Sequence, residues 1–194
     1  LPPIAMPARR LLTALRAFDG EMDPRNLLLL LQLLRALLVR AERAAALGGS
    51  DALDVVVPDV LEALTCYFPI SFVPPAGSEH SITAQHLLQA LVRVLRASAR
   101  FAPAVLKMLA SKLRADDETA DGLHAQALQA LAAVAPAYGA GPLADHAYAL
   151  GEALAVHLGR VGALGADAAD GPAAGGGGVL GIATCLAALA AAVS

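Results

Sequence analysis

Pro69, Pro74 and Pro75 fall within seven residues of one another in a chain otherwise dominated by Ala and Leu. Proline fixes φ, lacks an N–H and biases the residue before it away from helix, so no helix runs through Cys66 to Pro75. The same stretch holds Tyr67, Phe68 and Phe72, three of only seven aromatics in the chain. Side chains of that size are rarely left in water without a reason. The run is therefore expected to be an ordered connection that packs back onto the helices on either side. It has two readings, a plug that covers helix ends and a ridge on which a peptide docks. Large apolar side chains alternating in a Pro-fixed segment are usually buried, which favours the plug.

On either side of this run, helices of about 12 to 20 residues are separated by Pro- and Gly-bearing corners. Pro7 to Ala17 reads as a short helix ending near Asp19-Gly20. Asp23 then offers an N-cap carboxylate and Pro24 suits the first helical position, opening a helix to about Leu47. Gln32, Arg35, Arg40 and Arg43 give that helix only a narrow wet stripe, so it must be covered on most sides. Ser50 and Asp51 open the next helix, in which Pro58 predicts a kink or break. Thr83 caps a helix over Ala84 to Ala97, with Leu87, Leu88, Leu91, Val92 and Leu95 on its apolar face. Phe101-Ala102-Pro103 is a corner, and Val105, Leu106, Leu109 and Leu113 face inward beyond it. Asp116, Asp117 and Glu118 suit a helix start. The helix that follows carries Leu123, Ala127, Leu128, Leu131 and Val134 and stops at Pro136 to Gly139. Pro142 starts another through Leu150, Leu154 and Leu158 to about Arg160. Residues 162–178 read as a flexible Gly/Ala-rich loop, and 179–194 as a final helix of the domain formed by residues 1–161.

From Thr83 onward the helix–corner–helix unit recurs about every 40 residues, the spacing of HEAT-type repeats. Such a pair cannot bury its apolar face alone, so neighbouring pairs must stack. The expected class is all-α, a HEAT/armadillo-like α-solenoid of stacked antiparallel helix pairs. Composition agrees: 57% of residues are hydrophobic and 16% charged, with no Trp, so the core must be built from Leu, Ala and Val. The net charge of −3 gives no support to direct nucleic-acid binding. The two cysteines, Cys66 and Cys185, suggest a reducing compartment rather than a disulfide framework. The chain begins at Leu1 with no basic-then-apolar leader, as expected of a fragment or excised domain. The apolar runs from Leu27 and from Val179 are shorter than the ~20 residues needed to span a bilayer.

Motifs for chemistry are absent from the sequence. His80, His86, His124, His146 and His157 include no pair at helical ligand spacing, and neither cysteine has a near neighbour of ligand type. Two cysteines cannot supply the four thiolates an iron–sulfur cluster commonly uses. There is no nucleophile elbow, and Gly175 to Gly178 lacks the Lys-Ser/Thr of a phosphate loop. No cofactor, metal or catalytic residue is expected. The cations Arg93, Arg96, Arg100, Lys107, Lys112 and Arg114 form a solvated face or a docking surface for an acidic partner or phosphate, with nearby acids favouring the former. Tyr67, Phe68, Phe72, Arg93, Arg96 and Arg100 are the candidate interaction residues.

Tyr67-Phe68-Pro69-Ile70, Phe72 and Pro74-Pro75, followed by Ile82-Thr83 and an amphipathic helix, resemble the MMS nineteen (methyl methanesulfonate sensitivity) family in its N-terminal domain. Asp19-Gly20-Glu21-Met22-Asp23-Pro24-Arg25-Asn26-Leu27 resembles a family stretch in which Lys is usual at Met22. Ser98 to Leu113 and Tyr138-Gly139 extend the likeness over about residues 15 to 140. Ser71 replaces a common Asp, and Gly77-Ser78-Glu79 replaces an Asn-Asp-Pro type of turn.

The resemblance implies a non-catalytic adaptor of the cytosolic iron–sulfur targeting complex, partnered by a WD-repeat subunit and a small assembly subunit. These partners would be bound through C-terminal repeats beyond this stretch. It implies recruitment of apoproteins such as DNA helicases for cluster insertion, links to nucleotide excision repair and polymerase II transcription, and residence in cytoplasm and nucleus without membrane attachment. A generic HEAT/armadillo scaffold such as a transport receptor is the alternative. A mean hydropathy of +0.60 keeps a membrane-associated helical protein as a third class.

Overall fold

The structure is a computed structural model that describes residues 6–47, 53–72, 82–115 and 121–167, and helical positions within 183–191. The expectations for the acidic run 116–118, the turn 77–79, the prolines at 74 and 75, the helix opening at 50–51 and the Gly-rich run at 175–178 lie outside these residues. Among the described residues all regular structure is helical, as the all-α, HEAT-like reading expects. The chain divides into two compact units, Leu1–Phe101 and Ala102–Ser194.

The first unit holds α1 (Met6–Arg16), α2 (Pro24–Ala46), α3 (Leu53–Thr65), α4 (Ala84–Leu95) and a 3-10 turn at Ala99–Phe101. α1 packs on α2 and on α3, and α2 packs on α4. The short turn over 17–23 makes α1 and α2 an antiparallel hairpin. Phe18 and Tyr67, just beyond the C-termini of α1 and α3, touch one another, while Leu12 and Asp59, further back, line the same cleft. α1 and α3 therefore run in the same direction. The same holds for α2 and α4: Leu27 and Leu87 line one cleft near their N-termini, and Glu42 meets Ser98 at the other end. α1 with α3, and α2 with α4, thus form two layers of parallel helices, the arrangement that stacked antiparallel pairs produce.

Local chemistry explains the boundaries. Asp23 caps α2 by accepting from the Arg25 N–H at 2.8 Å, and Pro24 occupies the first turn. Thr83 and His86 form a reciprocal capping box at the start of α4. Gly20 adopts φ +71° in the turn before α2, a left-handed conformation costly for any residue with a Cβ. Leu31, Leu34, Leu38, Val56, Val60, Leu87, Leu88, Leu91 and Leu95 are all buried. Each such side chain stabilises the fold by about 1.5–3 kcal/mol relative to exposure.

Of the kink or break expected at Pro58, the break does not occur, since α3 is continuous across it. Pro58 and Asp54 are on the exposed side while Val56 and Val60 are fully buried. The carbonyl that proline leaves without a donor is open to water, and packing of the opposite face holds the helix together.

The second unit comprises α5 (Ala102–Arg114), α6 (Asp121–Tyr138), α7 (Ala140–Asp145) and α8 (Ala147–Asp167). α5 lies at its centre and packs on α6, α7 and α8. The single helix expected from Pro142 is two, separated at His146, whose Nδ1 lies 3.0 Å from the Pro142 carbonyl. The second of these helices also runs past Arg160 to Asp167, so 162–167 are helical rather than loop. Leu150 and Leu154 are buried, while Leu158 is 42% exposed. Arg160 caps α5, donating to the carbonyls of Leu113, Arg114 and Ala115 at 2.9–3.2 Å. A guanidinium there satisfies orphan carbonyls and complements the negative helix end.

Candidate functional site

The aromatic run begins where α3 ends. Tyr67 lies against Phe18 edge-on, with ring centroids 6.0 Å apart. Its hydroxyl donates to the Phe18 carbonyl at 2.5 Å, with the Glu21 carbonyl 3.2 Å away. Burial, and then the carboxylate of Glu21, raise the phenol above its ordinary pKa, which keeps it a donor. Phe68 and Ile70 are buried, Phe72 is half-buried, and the Phe68–Pro69 peptide is cis. Phe68 thus belongs to the core, while Tyr67 and Phe72 are half-buried at its edge.

The turn that receives Tyr67 is equally built. The Glu21 carboxylate accepts from the Asp23 N–H at 2.8 Å, next to the Asp23 cap and Gly20. Two of the stretches that carry the family likeness, 19–27 and 67–70, are therefore in contact through Tyr67. Met22, where the family usually has Lys, is 90% exposed beside them. It lines a cleft of about 270 Å³ with Pro69, Ile70 and Phe72.

The three candidate arginines separate. Arg100 is committed to the fold: its Nε lies 3.4 Å from Glu42 Oε1, and its Nη1 bonds Asp54. Ser98 donates to the same Glu42 carboxylate, and the Arg100 N–H donates back to Ser98 Oγ at 3.2 Å. This cluster ties α2, α3 and the end of α4 together. Arg96 is exposed at the C-cap of α4. Arg93 is exposed and lines a groove of about 670 Å³ between α2 and α4.

That groove brings in residues the sequence reading did not assemble. Leu28, Leu31 and Ala90 form its floor, and Gln32, Arg35, His86, Gln89 and Arg93 its walls. Gln32 and Arg35 were visible as a wet stripe, but pairing them with α4 required the tertiary arrangement. Because α2 and α4 are parallel, with Leu27 and Leu87 lining one cleft and Glu42 meeting Ser98, Arg35 falls near the level of Arg93, and Gln32 near that of Gln89. The Thr83 N–H donates to His86 Nδ1 at 3.2 Å, which places the ring hydrogen on Nε2. Among the described residues no carboxylate lines the groove, and neither Arg35 nor Arg93 is ion-paired.

On the other layer, the α1/α3 cleft has about 510 Å³ and the opposite sign, with Asp19, Asp59 and Glu62 against Arg16. Cys66 is exposed at its edge. Among the described residues no group of three or more His, Cys, Asp or Glu side chains could hold a metal ion. No helix among them is long and apolar enough to cross a membrane.

These features define a helical-repeat module whose exposed chemistry lies in grooves between parallel helices, a surface suited to binding other proteins. A family described as the Dos2-interacting transcription regulator of RNA-Pol-II (MMS19_N) matches residues 5–158. The chain belongs to this MMS19 N-terminal family. It is 34% identical over 125 residues to the MMS19 nucleotide excision repair protein homolog of Xenopus laevis, covering 64% of this chain and 11% of that one. It is 33% identical over 131 residues to the Homo sapiens homolog, covering 68% and 12%. Against the MMS19 DNA repair/transcription protein of Saccharomyces cerevisiae it is 33% identical over 103 residues, covering 53% and 9%. The chain thus matches about a tenth of the length of these relatives. No solved structure matches it.

Proposed function

We propose that this chain is part of a non-catalytic adaptor that recruits apoproteins of DNA repair and replication for iron–sulfur cluster insertion in the cytosolic targeting complex. Its relatives are named as nucleotide excision repair and DNA repair/transcription proteins. The observation that carries the reading is the family match across residues 5–158. Its likeness-bearing residues build structure rather than a reaction centre: Gly20, Asp23 and Tyr67 shape and fasten a turn, and Ser98 fastens α2 to the end of α4. Grooves between helices are surfaces on which a scaffold holds protein partners. The WD-repeat and small assembly subunits would be held by repeats beyond this chain, and the adaptor would act in cytoplasm and nucleus.

The test is affinity capture with identification of bound proteins by mass spectrometry, using a tagged full-length protein and this chain separately. Capture of the WD-repeat subunit and iron–sulfur helicases by the full-length protein, and of helicases alone by this chain, is the expected result. Capture of neither by the full-length protein would remove the iron–sulfur assignment.

A further inference from the structure

We propose that the α2/α4 groove is a docking site for an acidic, extended segment of a partner protein, read by Arg35 and Arg93 on its two walls. Two like charges are held near one level on facing helices, and no carboxylate among the described residues lines the space between them. The nearest acid along α2, Glu42, is already engaged by Ser98 and Arg100. Such an arrangement leaves the countercharge to be supplied from outside.

The remaining walls narrow the occupant further. A Gln carboxamide offers one donor and one acceptor side, the complement of a peptide group, and Gln32 and Gln89 bring one to each wall. His86 adds an Nε2–H donor, and the capping box fixes its orientation. Leu28, Leu31 and Ala90 provide an apolar floor for a small side chain. Guanidinium forks matched to carboxylates, with amides matched to a backbone, suit an acidic peptide better than a nucleic-acid strand, since no Phe, Tyr or Trp among the described residues lines the groove as a stacking platform. The acid-lined α1/α3 cleft on the other layer shows that charge is sorted by groove within one unit. The partner's identity as a recruited apoprotein rests on the adaptor reading, but the groove's chemistry does not.

The test is fluorescence anisotropy of a short fluorescein-labelled peptide of alternating Asp and Gly, titrated with the 194-residue chain. The double variant Arg35→Glu/Arg93→Glu should weaken binding by at least about tenfold, and Lys107→Glu/Lys112→Glu, an equal change of charge elsewhere, should leave it near wild type. Arg35→Gln/Arg93→Gln removes the charges without reversing them and decides the matter if the reversed variant melts early by circular dichroism. Equal weakening by both double reversals would overturn the proposal, as would unchanged binding by the neutral pair. Competition by an oligodeoxynucleotide of matched charge as effective as that of unlabelled peptide would assign the groove to phosphate and also overturn it. Peptide binding that depends on Arg35 and Arg93, without helicase capture, would uphold the groove and sink the adaptor reading. Helicase capture that survives loss of both arginines, with no peptide binding, would do the reverse.

Discussion

The hydroxyl of Tyr67 donates to the backbone carbonyl of Phe18, 2.5 Å away, while the two rings meet edge-on. One side chain thereby fastens the end of α3 to the turn that launches α2. Tyr67→Phe keeps the ring contact and deletes the donor. It should lower stability by about 1 kcal/mol, read as a reduced urea midpoint with unchanged slope. Phe68→Ala, which empties a core position, should cost about 3–5 kcal/mol and is a poor probe of docking for that reason. If Tyr67→Phe left the midpoint unmoved, the hydroxyl would have no part in fastening the turn.

The Glu42–Ser98–Arg100–Asp54 cluster should divide unequally. Glu42 is mostly buried and serves both Ser98 and Arg100, whereas the Asp54 side chain is 68% exposed. Glu42→Ala should cost about 1–2 kcal/mol because it removes the acceptor of the Ser98 hydroxyl and one of the two carboxylates at the half-buried Arg100 guanidinium. Asp54→Ala should cost less than about 0.5 kcal/mol, as exposed ion pairs usually do. Chemical denaturation of both variants and their double would check this, and equal costs would contradict the assignment.

His157 is buried beside His124, with ring centroids 5.1 Å apart and no hydrogen-bond partner for its Nδ1 among the described residues. Burial first, then the His124 ring and Arg160, hold its pKa below the usual 6.5. The folded state therefore binds fewer protons there than the unfolded chain does. Its contribution to stability is full above about pH 6.5 and is lost as pH falls through the folded value. His157→Leu should flatten the stability-against-pH curve below that point while changing it little at pH 8. A wild-type slope retained by the variant would place the titrating group elsewhere.

The two thiols should differ in reactivity. Cys66 is exposed, whereas Cys185 is buried and its thiol is pushed up to about 11. Iodoacetamide at neutral pH should add one carbamidomethyl group to the native chain, at Cys66, and a second only in denaturant. Peptide mapping by mass spectrometry distinguishes the sites, and rapid labelling of Cys185 in the native chain would contradict its burial.

Much of the fold was legible in local chemistry. Asp23 and Pro24 announced α2, Thr83 announced α4, and helical spacing of Leu87, Leu91 and Leu95 marked the buried face. Failures came where a local rule competed with packing or with a side chain from elsewhere. Of the kink or break expected at Pro58, the break is absent from α3, because Val56 and Val60 hold the opposite face. The single helix expected after Pro142 was interrupted at His146, and α8 outran its expected end as Arg160 turned to cap α5. Arg93, Arg96 and Arg100 share one stripe of sequence, yet Arg100 is spent on Glu42 and Asp54 while Arg93 faces a groove.

The sequence by itself determined the all-α class, the main caps and corners, and the likeness to its family. Those depend on contacts between residues a few positions apart, where residue type and spacing suffice. Only the tertiary structure decided that Tyr67 closes the turn at Phe18, that Glu42 meets Ser98, and that Arg35 stands near the level of Arg93. These partners are separated by tens of residues, and they meet because α1 with α3, and α2 with α4, stack in parallel. Burying the apolar stripes of successive pairs sets that register, and no single helix records it.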